Sequence, residues 1–152
     1  MGRTAVFLLG AGGSGKSTVR LRLWPGLPAV DPDDFLPDQT RPTEGRDVAK
    51  AGAERRRLEL LAEGASFVSD TTGTNSARVA REMADAETAG YTVVLCYVRC
   101  ALTICQARNA HRGAKPGGRF VPPDVITADW QAAQAAWAVL APPADVAWVE
   151  KT

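Results

Sequence analysis

The stretch Gly10-Ala11-Gly12-Gly13-Ser14-Gly15-Lys16-Ser17-Thr18 fits the pattern G-x-x-x-x-G-K-[ST] at every required position. It follows a wholly apolar run at residues 5–9, which has the composition of a buried parallel strand, and residues 17–23 can continue as a helix. Strand, glycine-rich turn and helix is the arrangement in which this pattern binds phosphate. A tight turn alone would need the glycines but not a lysine followed by a serine.

Each residue type in this segment suits an anionic ligand. Glycines let the backbone curl around a phosphate group, and the start of the helix adds unpaired N–H groups with a partial positive charge. Lys16 supplies a full charge to the β- and γ-phosphates, and the Ser17 hydroxyl is a predicted ligand of Mg²⁺. The predicted nucleotide-binding residues are Gly12, Gly13, Ser14, Gly15, Lys16, Ser17 and Thr18.

The composition allows one domain and gives no global attraction to a polyanion. The chain has 152 residues, 45% of them hydrophobic, and a formal net charge of +1. A chain of this size and apolar content can bury one core, so a single domain spanning residues 1–152 is predicted. Because the net charge is close to zero, contact with nucleic acid would require a local cluster of basic side chains.

The cysteines and the apolar runs favour a cytoplasmic protein without membrane contact. Cys96, Cys100 and Cys105 are odd in number and match no common zinc spacing, which favours reduced, buried side chains. The first apolar run is too short for the core of a signal peptide, and no segment has the roughly 20 apolar residues that span a bilayer.

Apolar runs alternate with helix-favouring stretches along the whole chain. Strands are predicted at residues 5–9, 29–30, 67–70, 92–98 and 146–149. Helices are predicted at residues 17–23, 43–63, 76–89 and 101–112, and from residue 122 to the prolines at 142 and 143. The alternation predicts an α/β fold of three layers, in which helices cover both faces of a parallel β-sheet and ligands bind at the carboxyl ends of the strands.

Acidic side chains collect where the second predicted strand ends. Asp31, Asp33 and Asp34 lie there, on the same rim of the sheet as the glycine-rich segment. A hydroxyl that attacks a γ-phosphate needs an acceptor for its proton, and Asp33 is the first candidate for this general base. Asp31 and Asp34 compete for the role, and Asp34 is also a candidate substrate-binding residue. Acids beside prolines can equally be turn formers.

A further acid, Asp70, ends the third predicted strand. A carboxylate at this place can hold Mg²⁺ or its water, orient a substrate or pair with an arginine, and the sequence leaves these roles open. Thr71, Thr72 and Thr74 add hydroxyl groups to the same rim, although a loop that ends in a helix cap would also contain them. Asp70 and Thr72 are the predicted substrate-binding residues here.

Basic side chains follow the fourth predicted strand. Arg108 and Arg112 lie one helical turn apart, and Lys115 and Arg119 extend the positive charge into a glycine-rich segment. This layout is typical of a lid, at about residues 108–124, in which arginines stabilise the oxygens of a transferring phosphoryl group. Solvated surface arginines are the alternative interpretation.

With these residues the chain resembles a branch of small P-loop kinases that includes the 5′-hydroxyl kinase domain of bacteriophage polynucleotide kinase and the zeta toxin kinases. Arg108-Asn109-x-x-Arg112-Gly113, then Lys115, then Val121-Pro122-x-Asp124-Val125-Ile126 resembles the polynucleotide kinase lid in order and residue type. Asp33, two residues before an aromatic, matches the catalytic base of both families. The resemblance implies a P-loop NTPase of the nucleotide kinase type, with contacts from Arg112 and Arg108 to the donor phosphates.

Other segments look more like the zeta toxins. These are Asp70-Thr71-Thr72-Gly73-Thr74 and Ala89-Gly90-Tyr91-Thr92-Val93, and the resemblance implies that the acid and Thr72 face an acceptor sugar nucleotide. Two positions depart from the pattern. Leu36 replaces a basic residue expected just after the aromatic, and Thr74 replaces an arginine of typical zeta toxins.

The predicted function is Mg²⁺-dependent transfer of the γ-phosphate of ATP to a hydroxyl, with a polynucleotide 5′-hydroxyl preferred over a nucleotide sugar. A kinase of another small molecule fits the same motifs. A nucleotide switch without catalysis is the alternative from another class, although the chain has no [NT]-K-x-D guanine motif. The sequence leaves open the acceptor, the choice of ATP or GTP, the oligomeric state and the existence of an antitoxin partner.

Overall fold

The apolar run before the glycine-rich segment forms the central strand of the sheet. A computed structural model describes residues 2–152. Within them five parallel strands lie in the order β2-β3-β1-β4-β5. The strands are β1 (Arg3–Leu9), β2 (Ala29–Val30), β3 (Phe67–Thr71), β4 (Tyr91–Arg99) and β5 (Val146–Lys151). All five lie where the sequence predicts them, and β1, β4 and β5 extend a few residues further.

Five α-helices and one 3₁₀ helix connect the strands. The α-helices are α1 (Lys16–Leu23), α2 (Arg46–Glu63), α3 (Ser76–Thr88), α4 (Leu102–Gly113) and α5 (Pro123–Leu140). The 3₁₀ helix, Pro32–Phe35, carries the acids that follow β2. The start of α3 is fixed by the Asn75 side chain, which accepts a hydrogen bond from the Arg78 N–H at 3.1 Å.

One helix boundary differs from the sequence prediction by more than one residue. The second helix was expected from residue 43 but begins at Arg46. Backbone hydrogen bonds from Arg41 to Asp38 and from Glu44 to Arg41 form turns there instead, and Gly45 has a φ of +67°. A left-handed residue cannot continue a right-handed helix, so α2 starts immediately after it.

The two faces of the sheet are covered unequally. Right-handed crossovers place α1 on one face and α2, α3 and α5 on the other. The larger core contains side chains of α2, α3 and α5 packed on β1, β3 and β4, among them Phe7, Phe67, Met83, Leu95 and Leu140. The smaller core packs Val19 of α1 on Val6, Leu8 and Val68. The three-layer α/β fold predicted from the sequence is confirmed.

The connections change direction between β1 and β3. After β1 the chain moves toward the β2 edge, and after β3 it moves toward the β5 edge. In such sheets the loops that leave the carboxyl ends of the two neighbouring strands run in opposite directions and leave a crevice for a ligand. Leu8 of β1 lies beside Asp70 of β3, and Leu9 beside Thr71, so the crevice opens between the glycine-rich segment and the loop after Asp70.

Within residues 2–152, no helix is both long and apolar enough to pass through a bilayer.

Candidate active site

The glycine-rich segment forms one wall of a cleft of about 480 Å³. Gly13 and Gly15 have φ values of +78° and +98°, which side-chain-bearing residues rarely adopt, and a Cβ at Gly13 would lie 2.6 Å from the Cys105 carbonyl oxygen. Gly15 caps α1 without a side-chain hydrogen bond, which leaves N–H groups of the first turn available to a ligand. All seven predicted nucleotide-binding residues line the cleft: Gly12, Gly13, Ser14, Gly15, Lys16, Ser17 and Thr18.

Lys16 projects into this cleft and pairs with Asp70. Its ammonium group donates to the Gly10 carbonyl at 2.6 Å and lies 2.9 Å from an Asp70 carboxylate oxygen. The two side chains are 11% and 17% exposed, so the pair is shielded from bulk water. The register of β1 and β3 explains the contact, because Asp70 lies beside the residues that lead into the glycine-rich segment. The sequence left the role of Asp70 open, and in the structure its carboxylate forms an ion pair with Lys16.

Asp33 is held between α2 and the predicted lid. One carboxylate oxygen accepts a hydrogen bond from Arg46 Nη1 at 2.8 Å, and the other lies 3.2 Å from Arg119 Nη1. Asp33 lines the same cleft as Lys16. Both of its oxygens therefore face cations, one from each side of the cleft.

Its neighbour Asp31 has a different environment. The Asp31 side chain accepts a hydrogen bond from the Asp33 N–H at 2.9 Å and so caps the 3₁₀ helix. Burial, and after it the negative charge of Asp70, raises the pKa of Asp31 to about 7. Asp34, the third acid of the cluster, is exposed and does not line the cleft. The structure thus brings Asp31 and Asp33 to the site and leaves Asp34 outside it.

The two arginines of α4 occupy different parts of the cleft. Arg108 donates to the Gly13 carbonyl at 3.1 Å and to the Thr152 hydroxyl at 3.4 Å, so it lies across the outside of the glycine-rich segment. Arg112 is half-buried and its Nε has no hydrogen-bond partner. Burial, followed by the nearby charge of Arg119, lowers the pKa of Arg112. Both arginines line the cleft, as the lid interpretation expects.

A buried asparagine fixes the course of the lid segment. Asn109 is 1% exposed and makes two hydrogen bonds with the Val121 backbone, donating to its carbonyl at 2.6 Å and accepting from its N–H at 3.0 Å. The segment between these residues is therefore folded back onto α4. This return carries Arg119 to Asp33.

Thr72 and Thr74 of the loop after β3 also line the cleft, and their hydroxyl oxygens lie 3.4 Å apart. Thr71 accepts a hydrogen bond from the Gly73 N–H at 3.1 Å, which shapes the turn. The predicted substrate-binding residues Asp70 and Thr72 thus share one wall of the cleft.

Sequence reasoning missed four charged residues of the cleft, namely Arg46, Lys50, Arg78 and Asp129. The three basic residues lie on helices where charged surface residues are ordinary, so no pattern distinguished them. Asp129 did carry a signal, since it follows the buried Ile126 by three residues on α5 and so shares its face. Burial raises the pKa of Asp129, although the charges of Lys16 and Arg46 oppose the shift.

The three cysteines are free and buried, which confirms the sequence prediction. Cys100 and Cys105 pack behind the glycine-rich segment with their sulfur atoms 2.6 Å apart, and the Cys100 sulfur lies 3.9 Å from the Gly13 carbonyl. They support the shape of the segment from behind the cleft.

The cleft offers magnesium the few oxygen ligands that nucleotide-binding sites usually supply. Residues 2–152 contain no group of three or more His, Cys, Asp or Glu side chains arranged around a metal position. Magnesium in such sites takes one or two protein ligands and completes its shell with phosphate oxygens and water. The Ser17 hydroxyl lines the cleft beside Lys16 and can serve as such a ligand.

Comparison with known proteins agrees with this geometry. A family model described as an AAA domain matches residues 6–140. No curated protein matches the chain in sequence.

Three solved structures share the fold. The crystal structure of AvrRxo1-ORF1:-ORF2 with ATP superposes with a TM-score of 0.74 at 18% identity, covering 93% of this chain and 50% of that chain. A putative kinase from Chloroflexus aurantiacus gives a TM-score of 0.69 at 17% identity, covering 100% of this chain and 89% of that one. The Pnkp1/Rnl/Hen1 RNA repair complex gives a TM-score of 0.66 at 18% identity, covering 91% and 47%. The chain thus spans about half the length of the AvrRxo1 chain.

Proposed function

The chain belongs to the AAA domain family and has a kinase-like P-loop fold, and on that premise we propose that it transfers the γ-phosphoryl group of ATP to a hydroxyl acceptor. The observation that carries the proposal is the placement of the Asp33 carboxylate in the same cleft as the Lys16 ammonium and the arginines of the lid. ATP as donor is supported by the ATP complex of the AvrRxo1 neighbour.

In this reaction the glycine-rich segment and Lys16 hold the donor. The free N–H groups at the start of α1 face the phosphates, and the Lys16 ammonium exchanges part of its contact with Asp70 for the β- and γ-oxygens. Ser17 would hold magnesium together with the phosphates, and the ion would supply positive charge that neutralises the transferring group. Arg112 lines the cleft, and its guanidinium group donates to those oxygens.

The acceptor hydroxyl attacks the γ-phosphorus, a new O–P bond forms, and the bond to the β–γ bridging oxygen breaks to release ADP. Asp33 takes the hydroxyl proton. Since both oxygens of Asp33 face arginines in the structure, one of them must become available first. Arg119 is the partner that can leave, because it belongs to the lid and the developing phosphate charge attracts it.

The acceptor that we propose is a polynucleotide 5′-hydroxyl. The lid resemblance to polynucleotide kinase supports it, as does the shared fold of the RNA repair complex that contains Pnkp1. A nucleotide sugar is the second candidate. One observation favours it, because Thr72 of the zeta toxin-like segment lines the cleft together with Asp70.

The test is incubation with γ-labelled ATP and Mg²⁺ in the presence of 5′-hydroxyl oligonucleotides, a panel of nucleotide sugars, or buffer alone. Label on the oligonucleotide supports the first acceptor, and label on a nucleotide sugar supports the second. Label found only as free phosphate, or no turnover with tight ATP binding, would contradict the kinase proposal and favour a nucleotide switch.

A further inference from the structure

Two side chains from distant parts of the chain hold the backbone of the glycine-rich segment. Arg108 of α4 donates to the Gly13 carbonyl at 3.1 Å, and the Thr152 hydroxyl donates to the Ser14 carbonyl at 2.7 Å. Thr152 does not line the cleft, so the Ser14 carbonyl points away from the space in which the phosphates would bind. Two successive carbonyls of the segment therefore have side-chain donors.

The backbone of Thr152 is anchored to the sheet. Thr152 follows the last residue of β5, and its N–H donates to the carbonyl of Arg99 at the end of β4 at 2.9 Å. Its hydroxyl also accepts a hydrogen bond from Arg108 Nη1 at 3.4 Å, so one hydroxyl group joins α4 to the glycine-rich segment. Thr152 is exposed, and these hydrogen bonds, rather than burial, hold its side chain in place.

The planarity of the peptide bond carries this contact to the inner side of the segment. The Ser14 carbonyl and the Gly15 N–H belong to one peptide plane and point in opposite directions. Because Thr152 holds the carbonyl outside, the N–H is turned toward the cleft that Gly15 lines. The Gly15 N–H donates no hydrogen bond to another backbone group within residues 2–152, which leaves it available to an anion.

Glycine at position 15 gives this restraint its importance. Gly15 has a φ of +98°, and a glycine rotates into other backbone regions at little cost. A Cβ at Gly15 would lie 3.5 Å from Thr152 Cγ2 and 3.4 Å from Arg108 Nη1, so both side chains cover this residue. A peptide that rotated freely here would have to be ordered when the phosphates bind, and that ordering would lower their affinity.

We propose that Thr152 is a positioning residue for phosphate binding, whose hydroxyl keeps the Ser14–Gly15 peptide oriented so that the Gly15 N–H faces the phosphates before they arrive. Arg108 contributes to the same restraint through the Gly13 carbonyl and the Thr152 hydroxyl. The inference rests on the part of the proposed function that places the phosphates of ATP on the glycine-rich segment, and it adds a residue outside the cleft to that site.

The test compares two ligands that share a triphosphate chain and differ in the nucleoside. A non-hydrolysable ATP analogue and inorganic tripolyphosphate, each with Mg²⁺, are titrated by calorimetry into the wild-type protein and its variants. Thr152→Val removes the hydroxyl at nearly constant volume, whereas Thr152→Ser keeps it. Thr92→Val is the matched control, because Thr92 is exposed on β4 and does not line the cleft.

Thr152→Val should weaken the binding of both ligands by the same factor, about fivefold to tenfold, which is the effect of losing one hydrogen bond. Thr152→Ser and Thr92→Val should keep the wild-type affinities. The melting temperatures of the ligand-free proteins are measured in parallel. They should differ little, because Thr152 is exposed and its hydroxyl orients one peptide without contributing to the core.

A weaker affinity for the ATP analogue with unchanged affinity for tripolyphosphate would overturn the proposal, because Thr152 would then act on the nucleoside. Wild-type affinities in Thr152→Val would overturn it as well, and so would equal losses in Thr152→Val and Thr152→Ser. If the affinities for both ligands depend on the Thr152 hydroxyl but no acceptor receives label from ATP, the positioning role stands and the kinase proposal fails.

Discussion

At the scale of single residues, the site depends on carboxylates that stand close together in different electrostatic environments. Asp33 lies between two arginines, Asp70 forms an ion pair with Lys16, and Asp31 is half-buried and feels the charge of Asp70. Burial raises the pKa of Asp31 to about 7, so Asp31 keeps its proton to a higher pH than an ordinary carboxyl group does.

Asp31 gives the stability of the protein a pH dependence. Its pKa is about 7 in the fold against an ordinary value of 3.8, so between these pH values the folded protein binds more protons than the unfolded chain. The free energy of unfolding should therefore fall as pH rises from about 4 to 7, by at most about 4 kcal/mol at 1.36 kcal/mol for each pKa unit. Urea titrations at a series of pH values measure it.

Asp31→Asn keeps an oxygen that can cap the 3₁₀ helix and removes the titration. This variant should have a flatter pH profile than the wild-type protein and higher stability at pH 8. Asp34→Asn is the control, since Asp34 is exposed and its charge contributes least to the raised pKa of Asp31, so the profile should change little. A wild-type slope that persists in Asp31→Asn would assign the titration to another group.

At the scale of elements, the proposed reaction requires movement of the predicted lid, at about residues 108–124. Arg119→Gln removes the cation that the lid holds on Asp33. Because that arginine is expected to pass to the transferring oxygens, kcat should fall about 100-fold, with a smaller change in KM for ATP. Steady-state kinetics on the acceptor identified by labelling measure both.

Lys115→Gln is the matched control for the lid, because Lys115 is exposed in the same segment and does not line the cleft. It should keep wild-type kinetics. Equal losses in the two variants would mean that general charge on the lid matters and that the Arg119 contact does not.

The 3₁₀ helix that carries Asp33 is positioned by contact with α2. Phe35 packs on Gly52, where a Cβ would lie 2.5 Å from the ring. Alanine normally stabilises a helix interior relative to glycine by about 1 kcal/mol, but overpacking here should reverse the sign and cost about 1–3 kcal/mol. Gly52→Ala should thus lower the melting temperature and reduce transfer by displacing Asp33. Gly26→Ala, which meets no atom within 4 Å, is the control, and a more stable Gly52→Ala protein would contradict the packing argument.

The sequence predicted the elements better than their side-chain contacts. The glycine-rich segment and the apolar run before it required a strand, a turn and a helix, and these are present at β1 and α1. The contacts of Asp33 with Arg46 and Arg119 join residues 13 and 86 positions away, and no local pattern encodes them. In the sequence, Asp129 could be recognised only as an acid on an apolar helical face. Its position in the cleft depends on tertiary packing, which local sequence patterns do not encode.

At the scale of the whole molecule, a charge cluster joins α2 to α3: the buried Arg57 lies 2.8 Å from Glu54, 3.7 Å from Glu82 and 3.9 Å from Asp85. Arg57→Gln would remove the hydrogen bond to Glu54 and one of the two cations beside Glu82, which keeps Arg78 at 3.8 Å. The free energy of unfolding should fall by about 2 kcal/mol, the loss of a hydrogen bond to a charged group. Chemical denaturation measures the change.

Arg56→Gln is the matched control on the neighbouring position. Arg56 and Glu59 form an exposed pair at 3.4 Å, and losing such a pair changes stability by less than about 1 kcal/mol. If Arg57→Gln is as stable as Arg56→Gln, the cluster does not hold the two helices.

At all three scales, the proposed activity depends on one claim. We propose that Asp33 accepts the proton of a hydroxyl that attacks ATP bound by the glycine-rich segment. The most direct measurement is single-turnover transfer of label from γ-labelled ATP by Asp33→Asn, with Asp34→Asn as control and ATP affinity measured in parallel. We predict a loss of about 10²–10⁴-fold in transfer rate with ATP affinity retained, and wild-type transfer by Asp34→Asn. Transfer by Asp33→Asn at the wild-type rate would contradict the claim.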